Sequence, residues 1–182
     1  MKIFTPLSLD GFELCHPENQ EDFETIIELI NGEPRRMNWL PLKVKILRDD
    51  EGINLASSDA PWLGSHALIF RPSAIKALTI LLEEYGEVLD LCCSDGVVSI
   101  YNPTRVLDAL DEEASSVLRF NDGRIMRIVR YVLRPEVVNS VHIFKIPNLR
   151  NSPTFVSEKF VALWESANLK GLTFKLVWEG NL

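Results

Sequence analysis

Residues 67–101 read "ALIFRPSAIKALTILLEEYGEVLDLCCSDGVVSIY", and the succession of patterns in this stretch decides the fold class. "ALIF" at 67–70 is a short apolar run of the kind that forms a buried strand. Arg71-Pro72-Ser73 opens a helix, because proline's missing N–H is not needed in a first turn and its fixed φ suits one. Ile75, Leu78, Leu82 and Tyr85 then recur at helical spacing and make one apolar face. Gly86 is placed to end the helix. "EVLDLCC" follows as a strand, Asp95-Gly96 turns the chain, and "VVSIY" runs back as the second arm of a hairpin.

The flanking sequence continues in the same manner. "MKIFTPLSL" reads as a strand closed by Asp10-Gly11, and "LPLKVKIL" at 40–47 alternates as a strand does. Between them, Phe23, Ile26, Ile27 and Ile30 form the apolar stripe of a helix ended by Asn31-Gly32 and Pro34. Residues 52–66 are rich in turn formers and predict an irregular segment around Trp62. Asn102-Pro103 has the form of an N-cap followed by a first-turn proline and predicts a short helix with Val106, Leu107 and Leu110 inward. "VLRF" and "IMRIVRYVLR" flank Asn121-Asp122-Gly123, the strongest hairpin signal in the chain. "VHIFKI" at 141–146 is a strand. "FVSEKFVALWESANLKG" is a helix with Ser157 at its cap, and "LTFKLVW" is a closing strand. The expected fold is α+β: mainly antiparallel sheets with three to four helices packed against them.

At 182 residues the chain fits one domain. A chain of this size buries roughly 70% of its surface on folding, so neither disulfide nor metal is needed to hold it. Cys15, Cys92 and Cys93 are odd in number and two are adjacent, which is a poor disulfide framework; the expectation is buried, reduced thiols in a cytoplasmic protein. No secretory leader is visible, and the longest apolar runs are far short of a membrane span.

The net charge of −7 is unevenly placed. Residues 1–33 hold eight acids against one base, Lys2, while residues 34–182 hold 18 of each sign. An acidic end repels nucleic-acid phosphates and suits a basic protein surface. Glu21, Glu24 and Glu28 share a face of the first helix and are the candidate partner-binding acids. Trp62 joins them as a candidate contact, although a tryptophan in such a segment also plugs the core beneath a loop.

Signatures of catalysis are missing. The sequence has no GxSxG, P-loop, GxGxxG or HExxH, and His16, His66 and His142 stand far apart. Asp108, Asp111 and Glu112 are spaced to share a helical face and could hold a divalent cation as hard oxygen ligands. Yet these three acids and Glu113, four at the C-terminal end of a helix, oppose its dipole. The better reading is a turn, "DEEAS", braced by Asp111 and Ser115. Arg124, Arg127, Arg130 and Arg134 recur at intervals that put successive side chains on opposite faces of a strand, so they do not form one nucleic-acid stripe without a bulge.

Three blocks together carry a resemblance: "LIFRPSAIKALTILLEEYGEVLDL", "VVSIYNPTRVLDALDEEAS" and "IFKIPNLRNSPTFVSEKFVALWESANLKGLTFKLVW". Their shared marks are Gly86-Glu87-Val88-Leu89, the Leu110–Ser115 segment and the final Gly171–Trp178 strand. In these the chain resembles a bacterial immunity-protein family, first catalogued as a domain of unknown function and named for a myxobacterial member. The resemblance covers roughly 60–182, with 1–59 a divergent acidic part of the same single domain. It implies a non-catalytic protein, without cofactor or metal, that binds and neutralises a cognate toxin effector of an interbacterial or polymorphic toxin system, type VI secretion among them. The expected partner is that toxin, with a basic surface; nucleic acid and membrane are not expected, and the oligomeric state stays open, a homodimer included. The competing readings are a divalent-metal enzyme built on Asp108, Asp111 and Glu112, and an adaptor acting without a toxin through Trp62.

Overall fold

The computed structural model describes residues 1–180. β1 (Lys2–Ser8) and β2 (Leu14–Pro17) precede α1 (Asp22–Leu29). A 3-10 turn at Arg36–Asn38 leads to β3 (Lys43–Leu47) and the small pair β4 (Asp49–Asp50) and β5 (Ile53–Asn54). β6 (Leu68–Phe70), α2 (Pro72–Tyr85), β7 (Gly86–Asp90), β8 (Cys92–Cys93) and β9 (Ser99–Pro103) follow. The chain continues through β10 (Ser116–Arg119), β11 (Ile125–Arg130), α3 (Pro135–Val138) and β12 (Ile143–Phe144). It closes with β13 (Phe155–Ser157), α4 (Glu158–Ser166) and β14 (Leu172–Glu179).

The fold is α+β with mainly antiparallel sheets. β7 and β6 flank β9 antiparallel, with Leu89 and Ile69 both opposite Ile100. This sheet is apolar on both faces, and period-two alternation assigns its residues to two cores. Leu68, Phe70 and Tyr101 pack with Leu78, Leu82, Phe160 and Trp164 of α2 and α4. Ile69, Leu89 and Ile100 pack with Ile26 and Ile30 of α1 and with Cys15 and Val44. Each of these large side chains contributes roughly 1.5–3 kcal/mol by leaving water. A third core gathers Ile3, Leu110, Ile128, Leu133, Phe144 and Phe155. In it the Phe144 and Phe155 rings stack with centroids 5.2 Å apart.

β1 lies inside a four-stranded sheet ordered β12-β13-β1-β14, so a strand from the acidic end is paired on both sides by strands from the other end of the chain. β3 pairs antiparallel with β2 and parallel with β8. That parallel pair splits the expected "EVLDLCC" strand: β7 ends at Asp90, and Cys92-Cys93 leaves to join β3.

One local expectation fails, and two hold in position but for a different local reason. The helix expected after Asn102-Pro103 does not form. Both residues belong to β9, and the Asn102 amide is occupied elsewhere, accepting from the Gly32 N–H and donating to the Glu33 carbonyl. Gly86 follows α2 directly, but in extended backbone at φ 179° as the first residue of β7. It is glycine for space: a Cβ there would sit 2.4 Å from the Asn102 carbonyl oxygen and 2.7 Å from the Tyr101 hydroxyl. Ser157 stands at the N-cap of α4 but makes no side-chain cap; its hydroxyl lies 3.0 Å from His142 Nδ1.

Candidate functional site

The stretch Asp108–Ser115 is a turn held by its own side chains. Asp111 accepts the Ala114 N–H at 3.0 Å, and the Ser115 hydroxyl both accepts from Val132 N–H and donates to the Val132 carbonyl. Asp108 pairs with Arg134 at 3.0 Å. Glu112 accepts from Arg119 and Asn148, and Arg119 above all holds its carboxyl below the usual range. The three acids considered as metal ligands are thus directed to separate partners, none shared between them. Among the described residues no group of three His, Cys, Asp or Glu is arranged to hold a metal ion.

The acidic end is less uniformly acidic than its composition suggests. Glu13 is buried, its carboxylate meeting Arg71 at 2.9 Å, Arg48 at 3.2 Å and the Ser58 N–H at 3.1 Å. Burial alone would raise its pKa; the Ser58 amide and the two arginines outweigh that and hold it below the ordinary value. On α1, Glu24 and Glu28 both face Arg150, at 3.0 and 3.7 Å, while Glu21 is exposed at the helix start. Structure therefore brings Glu24 and Glu28 together under one arginine, a pairing between residues 126 positions apart that no local pattern could reveal.

Trp62 lies elsewhere. It is half-buried against the core built on α2 and α4, and its main chain pairs with β2: its N–H donates to the Glu13 carbonyl, and its carbonyl accepts from Cys15 N–H. Cys15 is buried, as the sequence led us to expect, and burial pushes its thiol up to about 12. Cys92, by contrast, is exposed.

The feature missed by sequence reasoning is a groove. The β10–β11 hairpin forms as Asn121-Asp122-Gly123 predicts, with the Gly123 N–H donating to the Phe120 carbonyl, but among the described residues it pairs with no other strand. Leu118, Phe120, Met126 and Val129 remain 47–57% exposed on it. Bulges beside Val117 and Arg119 break the alternation, so apolar and basic side chains appear together on its surface. Between this hairpin, Glu24 and Ile27 of α1, and the loop 147–151 lies an open cavity of about 710 Å³. A smaller one, about 260 Å³, shares Pro147, Leu149 and Arg150 with it and ends at Ile30 and Lys145.

The hairpin, the loop 147–151 and the Asp111 turn all fall in one segment with known relatives. Residues 100–178 match the Imm11 immunity protein family. This is the immunity-protein resemblance that the Leu110–Ser115 and Gly171–Trp178 blocks carry. The Imm11 match takes in β10 to α4 and all but the last residue of β14; the helix-bearing block at 68–91, α1 and Trp62 lie outside it. No curated protein matches the chain. Among the described residues no helix is long and apolar enough to cross a membrane.

Proposed function

We propose that this protein is an immunity protein that neutralises a cognate antibacterial toxin by binding it directly, without catalysis. The observation that carries the reading is the Imm11 match over 100–178, the segment that builds the exposed hairpin and most of the groove. A protein of this class needs a binding surface rather than a reaction centre. The groove supplies apolar surface, and exposed Glu21, Glu24 and Glu28 at its α1 side supply charge. Acids there favour approach of a toxin with a basic surface, because complementary charge raises the association rate more than it adds affinity. The protein acts in the cytoplasm as one domain over 1–182, with the acidic 1–59 and the family-like 60–182 sharing sheets. Trp62, packed against the α2 and α4 core outside the groove, is a separate candidate contact.

Co-expression with the product of the neighbouring gene tests this. An immunity protein restores growth to cells expressing that product and co-purifies with it. Absence of both rescue and co-purification removes the reading. An adaptor acting without a toxin would co-purify with its partner but rescue nothing.

A further inference from the structure

The groove between α1, the β10–β11 hairpin and loop 147–151 has an uneven charge in an acidic protein. Residues 116–134 hold five arginines and a single acid, Asp122. Most of these cations are already answered: Arg124 by Asp122 at 2.7 Å, Arg119 by Glu112 and Arg134 by Asp108. Arg150, across the groove, is held by Glu24 and Glu28. Among the described residues no carboxylate pairs with Arg127, which lines the groove and is exposed. Its neighbours there are Phe120 and Met126, both about half exposed, and the partly buried Ile27 and Leu149.

We propose that this groove receives a segment of the toxin bearing apolar and acidic side chains, a carboxylate of which pairs with Arg127 while the apolar groups cover Phe120 and Met126. The inference rests on the immunity reading and names the chemistry of its contact. Water is excluded from around Arg127 as Phe120 and Met126 are covered, and the ion pair gains strength in that drier setting. A basic segment is disfavoured beside Arg127, the groove cation without a carboxylate among the described residues, whatever the long-range pull of the acidic N-terminal part. The two features therefore act on different steps: charge on α1 on association, the groove on dissociation.

The test uses the whole chain and the purified product of the neighbouring gene, with binding kinetics measured by surface plasmon resonance. Phe120→Ser and Met126→Ser each raise the dissociation rate by about tenfold, the scale of one well-covered anchor. Arg127→Glu weakens binding at least as much, and Arg127→Met weakens it less than Arg127→Glu does. Ile80→Gln, replacing an equally apolar residue exposed on α2, leaves binding unchanged. All of these positions are exposed, and unaltered thermal unfolding of each variant shows that the fold is intact. If wild type binds and Arg127→Glu binds equally well, the acidic occupant is wrong while the immunity reading stands. If wild type alone sediments as a dimer that Phe120→Ser dissociates, the occupant is a second copy and the inference is overturned. If wild type does not bind the neighbouring product at all, the immunity reading fails and this inference with it.

Discussion

Lys145 closes the end of α1: its ammonium donates to the Ile30 carbonyl and, at 2.8 Å, to the His66 carbonyl, and no carboxylate pairs with it among the described residues. The lysine is 4% exposed. One cation thus ties the helix of the acidic end to the strand segment at 143–146 and to the loop before β6.

Burial pulls the Lys145 ammonium down to about 8, well below the ordinary lysine value. The sign of the pH effect follows. Below pH 8 the lysine is charged in both folded and unfolded chains, and its desolvation opposes folding in full. From pH 8 to about 10.4 the unfolded chain keeps a proton that the folded one has released, so folding gains up to about 1.4 kcal/mol per pH unit from this group. Urea unfolding of wild type and Lys145→Met at pH 7, 9 and 10 isolates it. The wild type gains on the variant as pH rises; a constant difference refutes the assignment.

Glu13 predicts a dependence of the same sign in a separate, acidic window. Its carboxyl is held below the ordinary value, so its stabilisation is complete above about pH 4.5 and disappears as pH falls through the depressed value. Glu13→Ala leaves Arg71 with an unanswered charge beside the core and costs about 3 kcal/mol at pH 7. Chemical denaturation gives the number, and the gap between wild type and variant narrows in acid.

Gly86→Ala costs about 2–3 kcal/mol although the backbone there is extended and unstrained. The added methyl meets the Asn102 carbonyl oxygen and the Tyr101 hydroxyl, both on buried residues, so the packing must shift. Gly11 offers a control of the reverse kind: its φ is +81° but nothing lies within 4 Å of a Cβ, so any cost of Gly11→Ala comes from backbone strain alone. Thermal unfolding of both variants compares crowding with strain.

Replacing Glu21, Glu24 and Glu28 together by lysine slows association with the toxin and reduces its dependence on salt, while the dissociation rate changes little. Stability changes only slightly, because the pairs with Arg150 are solvent-exposed on both sides. Stopped-flow association at two ionic strengths measures it. Unchanged kinetics remove this face from the interface.

What could be read from the sequence was what neighbouring residues decide. The Ile75–Tyr85 stripe forms α2, the Asn121–Gly123 turn forms the hairpin, and Asp111 braces its own turn, because each signal acts within a few residues. The misreadings come from partners distant in sequence. Asn102 has the form of a helix cap, but its amide is committed to Gly32 and Glu33. Ser157 reads as a cap and instead meets His142. Glu24 and Glu28 read as an open acidic face until Arg150 is placed against them. The groove could not be read because its walls come from three separated segments, and the unpaired state of Arg127 is a fact about all of them at once.

The central place of β1 has a consequence for synthesis. β1 is made before its two hydrogen-bonding neighbours, β13 and β14, which follow the entire hairpin inside the Imm11 match. Pairings so distant in sequence are slow to form. The nascent chain therefore carries β1 without these partners until β13 and β14 have been made. Under the proposed immunity role, protection would start only once β14 has emerged and β1 can dock between β13 and β14.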